Sequence, residues 1–227
     1  MASTASRSQR QLIVEGPDDE HVVIHVMRKM RPTWDQEPRN WGGFEVKSAG
    51  GDTQAIKDFG IAAKAEAGSI GLMLDADDQS GKHVADRWNQ VRTTLTQLVQ
   101  PFPDAIPTEG WIGNTTLGLR VGVWIMPNNQ VDGGLEAFLT PFVPAADDSW
   151  VFAQTVIEQA KKTYNVPYPA HYAPKARLHT WLAWRKEAGR PYGRAIKCGD
   201  LIPNGAVVTQ FADWFERLFI TDQRGLA

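Results

Sequence analysis

Acidic side chains at the ends of apolar runs are the residues of this chain best placed to do chemistry. Leu12-Ile13-Val14 closes on Glu15, with Asp18 and Asp19 just beyond. Ile70-Gly71-Leu72-Met73-Leu74 closes on Asp75, followed by Asp77 and Asp78, and Val121-Gly122-Val123-Trp124-Ile125-Met126 leads on to Asp132 and Glu136. Carboxylates that converge on one spot repel one another and rise in pKa unless a cation neutralises them. A donor set made only of oxygen selects hard ions such as Mg²⁺ or Mn²⁺, which act on phosphate esters. Helix capping alone accounts for Asp18, Asp52, Asp78 and Asp132. Glu15 and Asp75 resist that reading, because they close apolar strands where an unpartnered charge is unfavourable.

The elements that must position these acids follow from the apolar pattern. The runs ending at Glu15 and Asp75 read as buried strands, Phe44-Glu45-Val46 as a weaker strand and Val121 to Met126 as a fourth. Helices follow three of them, one with Val22, Val23, Val26, Met27 and Met30, one capped by Asp52 with Ile56, Phe59 and Ala63, and one with Trp88, Val91, Leu95 and Leu98. A short helix opens at Gly133-Gly134. Strands apolar on both faces and alternating with helices predict an α/β fold, a mostly parallel sheet with helices on both faces. After Pro141 and Pro144 the pattern turns helical only, over Trp150 to Ala160, Lys175 to Ala188 and Val208 to Phe219. The expected organisation is a flexible leader at 1–9, an α/β core at 10–145 and a helical C-terminal layer at 146–227 packed on it. In such sheets ligands bind outside the carboxyl ends of the strands, which is where the acids fall.

Leu12-Ile13-Val14-Glu15-Gly16-Pro17-Asp18-Asp19 resembles the first motif of the TOPRIM (topoisomerase-primase) fold, a strand ending in Glu-Gly with an acid three residues on. Leu72-Met73-Leu74-Asp75-Ala76-Asp77 resembles its second, the Asp-x-Asp motif. The likeness covers roughly residues 10 to 140, in the expected order. The segment from Val121 to Asn129, with Gly134-Leu135-Glu136 after it and Lys175-Ala176 later, further resembles small bacterial TOPRIM-like proteins related to the overcoming-lysogenization-defect nucleases. The resemblance implies phosphodiester chemistry with Mg²⁺ or Mn²⁺. By position it makes Glu15 the acid that handles a proton or holds metal, Asp19 its companion, and Asp75 and Asp77 the metal-binding pair. Relatives tend to carry an acid where this chain has Asn128, which leaves Glu136 as the further ligand, and Gln79 stands where topoisomerases often have a third acid. Two metals about 3.5–4 Å apart would clamp the attacking and leaving oxygens. Lys175 is the candidate cation for the developing charge, since it opens a helix and matches the family's recurrent lysine.

Charge is divided along the chain. Of 227 residues, 24 are basic and 26 acidic for a net charge of -2, yet residues 1–150 hold 13 basic against 20 acidic side chains and residues 151–227 hold 11 against 6. Near balance excludes a uniformly basic nucleic-acid coat. Between 171 and 197, Lys175, Arg177, Arg185, Lys186, Arg190, Arg194 and Lys197 face one acid, Glu187, with Tyr172, Trp181, Trp184 and Tyr192 interleaved. Basic groups track phosphates and aromatics stack on bases, so Arg177, Arg185, Lys186, Arg190 and Arg194 are expected to contact nucleic acid. The spacing of Leu178, Trp181 and Leu182 predicts core packing for those three.

A single cysteine, Cys198, excludes an internal disulfide framework. The chain shows neither an apolar signal region nor a run long enough to span a bilayer, which predicts a soluble, cytoplasmic protein with no membrane role. P-loop, Rossmann and α/β-hydrolase glycine motifs are missing. His21 and His25 have zinc-ligand spacing without an intervening Glu, and a structural role is expected. The leading expectation is a metal-dependent nuclease or related phosphodiester-processing enzyme. The alternatives are a non-catalytic module binding a protein or nucleic-acid partner, and a phosphatase using Asp75 as nucleophile.

Overall fold

The computed structural model of the chain describes residues 10–33, 44–77 and 82–220; the expected leader, Asp78 and Gln79 lie outside them. Among the described residues the strands are β1 (Arg10–Val14), β2 (Phe44–Ser48), β3 (Ser69–Leu74), β4 (Trp111–Asn114) and β5 (Arg120–Ile125). They form one sheet in the order β2-β1-β3-β5-β4, parallel except for β4, which runs antiparallel to β5 at the edge. The helices are α1 (Pro17–Met30), α2 (Asp52–Ala62), α3 (Val84–Leu95), α4 (Leu135–Leu139), α5 (Asp148–Tyr164), α6 (Ala173–Ala183), α7 (Tyr192–Cys198) and α8 (Ala206–Phe219). The expected α/β architecture is what the chain adopts.

Side chains alternate across each strand, and the two sheet faces bury separate apolar clusters. Leu12, Val14, Met73 and Trp124 pack with α1, α4, α7 and α8 on one face, while Ile13, Leu72, Leu74, Val121 and Val123 pack with α2 and α3 on the other. The 146–227 segment is therefore bound into the main core: Leu178, Trp181, Tyr192 and Phe211 belong to the same cluster as β1. Helix α8 lies against strand glycines. A Cβ at Gly122 would sit 2.7 Å from Leu218 Cδ2, and one at Gly71 would sit 3.0 Å from it. Gly122→Ala is expected to lose about 1–3 kcal/mol by overpacking, read as a lower urea midpoint at unchanged slope.

Three sequence expectations need correction. Gly51 is the N-cap of α2, and Asp52 is its first residue. The helix begun near Lys175 stops at Ala183, short of Ala188, and a separate α7 follows Pro191. The strand ending near Met126 is fifth in the chain, because the four-residue β4 precedes it. No described helix is long and apolar enough to cross a membrane.

Candidate active site

The carboxyl ends of β1 and β3 lie side by side because the two strands pair in parallel. Glu15 leaves β1 there, and its Oε1 accepts the Asp75 backbone N–H at 2.8 Å. The turn after β2 closes on the same residue, since Gly50 and Gly51 N–H groups both donate to the Glu15 carbonyl. Gly51 has φ +135, a conformation glycine adopts without strain. Asp19 sits in the first turn of α1 and accepts the Gly16 N–H at 2.8 Å, so it caps its own helix while facing the cleft.

Glu136 reaches the cluster by a different route. After β5 the chain returns to the exit of β3, where Ala76 and Gly133 exchange backbone hydrogen bonds. Gly134 then passes so close to Asp75 that a Cβ would lie 2.7 Å from its Oδ2, and the Leu135 N–H donates to the Asp75 carboxyl. A side chain at that position would push the Asp75 carboxyl aside. One turn of α4 places Glu136 in the same cleft, where Tyr192 Oη donates to its Oε1 at 3.2 Å and Lys175 Nζ lies 3.6 Å from that atom.

The cleft has a volume of about 1160 Å³ and is lined by Glu15, Asp18, Asp19, Asp75, Asp77, Asp132 and Glu136 on its acidic side, with Lys82 and, from the C-terminal segment, His171, Tyr172 and Lys175. Burial raises the Asp75 carboxyl well above the usual range, and the charges of Asp19, Glu15 and Glu136 add to it. Asp19 is pushed up to about 7, by burial first and then by Glu15, Asp18 and Glu136. Glu15 is also raised by burial, against the lowering effect of the Asp75 N–H and the Arg87 charge. Such a cluster in a cleft is a functional-site signature.

The structure thus brings Glu15, Asp19, Asp75, Asp77, Glu136 and Lys175 to one cleft. Asp132 does cap a helix, but that helix is α3: its Oδ1 accepts the Val84 N–H, and its Oδ2 lies 2.6 Å from His83 Nδ1. Asn128 does not line the cleft; its side chain accepts the Gln130 and Val131 N–H groups in a turn. His21 is exposed, and His25 is lowered to about 4 by burial and by the Arg28 and Lys197 charges.

The expected nucleic-acid residues lie outside the cleft. Arg185 pairs with Asp147 at 2.7 Å and stacks over Trp181, and Arg190 pairs with Asp200 at 2.5 Å and Glu187 at 3.2 Å. Arg177 lies 3.6 Å from Glu158, Arg194 pairs with Glu187, and Lys186 is exposed. Trp181 and Tyr192 are fully buried, which removes both from any stacking surface.

Sequence reasoning missed Arg87. Its side chain is almost wholly buried, donating to the Asp75 carbonyl at 3.0 Å, to Asp52 Oδ2 at 2.8 Å and to Gln90 Oε1 at 3.2 Å. The Asp75 peptide is consequently held from both sides, its N–H by Glu15 and its carbonyl by Arg87. The available signal was a cation within the apolar stripe of α3, three residues after Val84 and four before Val91. Arg87→Met is expected to lose about 2–3 kcal/mol, below a fully buried pair because Asp52 is partly exposed and keeps Lys82 at 3.4 Å. Arg87 holds the Asp52 carboxyl far below the usual range, so this stabilisation is present above pH ~4 and fades as acid protonates Asp52. Urea unfolding of both proteins at neutral and acid pH checks it: the gap must narrow in acid.

No curated protein and no solved structure matches the chain. Over residues 9–220, however, the sequence matches the family described as Protein of unknown function (DUF3226), and the chain belongs to that family.

Proposed function

We infer that this chain is a cytoplasmic, metal-dependent phosphodiester-processing enzyme of TOPRIM-like type, acting on nucleic acid as a nuclease. The observation that carries this reading is the delivery of Glu15, Asp19, Asp75 and Glu136, from three separate strand ends, to one cleft that also holds Lys175. Carboxyls raised by one another as well as by burial need a counter-charge to ionise together, and an all-oxygen donor set suits Mg²⁺ or Mn²⁺. Among the described residues no three such groups are drawn around one point. Backbone N–H groups hold Glu15, Asp19 and Asp75 on their separate elements, so the donor chemistry fits the ion and the side chains must turn to close on it.

Asp75, Asp77, Asp19 and Glu136 would hold the ion, which when bound supplies Lewis-acid polarisation of a phosphoryl oxygen. Glu15 is suited to take a proton from the attacking water: its carboxyl is raised towards neutrality and its Oε1 is already fixed by the Asp75 N–H, leaving Oε2 for the proton. Lys175 brings a positive charge into the cleft that would stabilise the charge developing on the departing oxygen; Glu136 lies beside it, and Tyr192 orients Glu136. Lys186 remains as the exposed basic group for more distant phosphates, since Arg185 and Arg190 are committed to Asp147 and Asp200 and Arg194 pairs with Glu187.

Calorimetry with Mg²⁺ and Mn²⁺, beside incubation of labelled single- and double-stranded DNA and RNA in the same buffers, tests the proposal. Metal binding with metal-dependent strand scission is expected. Binding without scission would assign the cleft to a binding module, and no binding would end the catalytic reading.

A further inference from the structure

We propose that the cleft takes an unpaired strand of nucleic acid, one of whose bases stacks on the ring of Tyr172. This rests on the nucleic-acid reading of the cleft given above. Electrostatics alone does not recruit a polyanion here, because the cleft presents seven carboxyl side chains against two lysines. Its volume, about 1160 Å³, exceeds that of a typical small-molecule pocket and suits an extended ligand. The non-electrostatic feature on its wall is aromatic. Tyr172 lines the cleft with 49% of its surface exposed, and the His171 ring packs beside it at 4.4 Å between centroids.

The backbone beneath this exposed ring is held in place. Tyr172 ends a single 3-10 turn between Pro169 and Pro174, and its N–H donates to the Pro169 carbonyl at 3.0 Å. Fixed backbone on both sides lowers the entropy lost when a base docks. Three residues on, Lys175 points at Glu136, so a base on Tyr172 would place its phosphate within reach of both the lysine and the acids. A base inside a duplex already has neighbours on both faces, which is why an open aromatic face selects an unpaired one. The other exposed aromatic of the basic segment, Trp184, stacks on Phe152 and does not line the cleft.

The test is fluorescence anisotropy with labelled strands of about 12 nucleotides, DNA and RNA, each single-stranded, as a duplex, and as an abasic single strand, in Ca²⁺ buffer. Wild type is expected to prefer the base-bearing single strand, with the DNA and RNA arms identifying the sugar. Tyr172→Ala should lose roughly 5- to 150-fold on that strand and nothing on the abasic one, while Tyr172→Phe and the control Trp184→Ala stay within about twofold of wild type. Tyr172 is half exposed, and unchanged circular dichroism will show that the variant folds. Equal loss on the abasic strand, no loss at all, or equal affinity for duplex would overturn the stack while leaving the metal chemistry standing. If wild type binds Mn²⁺ but no oligonucleotide, the nucleic-acid reading falls and takes this inference with it.

Discussion

Asp75→Asn is expected to abolish strand scission, weaken Mg²⁺ and Mn²⁺ binding by at least about 100-fold, and raise the thermal midpoint of the metal-free protein. The two effects have one cause. Asp75 is enclosed by protein on all sides but the cleft, and burial together with Asp19, Glu15 and Glu136 makes its ionised form unfavourable. Each unit by which its pKa is raised is worth about 1.4 kcal/mol against the charged state, and each kcal/mol moves the midpoint of a chain this size by about 2–4 °C. Asparagine removes the charge yet keeps an oxygen for the Leu135 N–H, so no buried donor is orphaned. It also removes the negative charge with which Asp75 would hold the ion beside Asp19, Glu15 and Glu136. Differential scanning fluorimetry with and without Mn²⁺ separates the contributions: the wild type should gain stability with the ion and the variant should not. A variant that melts lower than wild type in metal-free buffer would mean that Asp75 is structural.

Much of this site could be anticipated because parallel strands advertise themselves. β1, β3 and β5 are apolar on both faces, and their ends mark where acids matter, so Glu15 and Asp75 stood out as charges closing buried runs. Asp19, Asp77 and Glu136 are visible as acids near strand ends, but only the family resemblance gives them roles and sets them apart from Asp18, Asp78 and Asp132, because the contacts that bring Glu136 to Asp75 are a one-residue backbone bridge and a close glycine approach, neither of which has a periodic signature. β4 was missed for a related reason: four residues between Gly110 and the Thr115 turn are too few to show alternation. The basic segment misled in the other direction. A local charge count sees Arg185 and Arg190 against Glu187 alone, but Asp147 lies 38 residues upstream of Arg185 and folds back to pair with it, and Asp200 does the same for Arg190. Tyr192 was read as a stacking residue, and its burial against α1 and its bond to Glu136 make it a support of the acid cluster.

The acid cluster should destabilise the metal-free protein progressively as pH rises from about 4 to 7, opposite to the behaviour of carboxylates held in ion pairs. Asp19 titrates near 3.9 when unfolded and at about 7 in the folded chain, so across that window this carboxyl binds more protons in the native state than in the unfolded one. The derivative of its contribution to unfolding free energy with pH is then negative, and that contribution declines until Asp19 has ionised in both states. Asp75 and Glu15 are raised by the same crowding and push in the same direction, against the opposite contributions of Asp52, complete by about pH 5, and of His25 and His179, whose lowered pKa values add stability as pH rises through this window. A divalent ion binds the ionised carboxylates and competes with these protons, so its affinity should rise steeply between pH 6 and 8, approaching tenfold per unit for each proton displaced. Thermal melts at pH 5, 6, 7 and 8 with EDTA and with Mn²⁺ should therefore diverge, the first set falling steadily below the second as pH rises. Asp19→Asn should remove part of the decline in EDTA. Parallel curves in the two buffers would show that the ion does not reach these acids, and an Asp19→Asn curve in EDTA parallel to that of wild type would show that Asp19 is already neutralised within the protein.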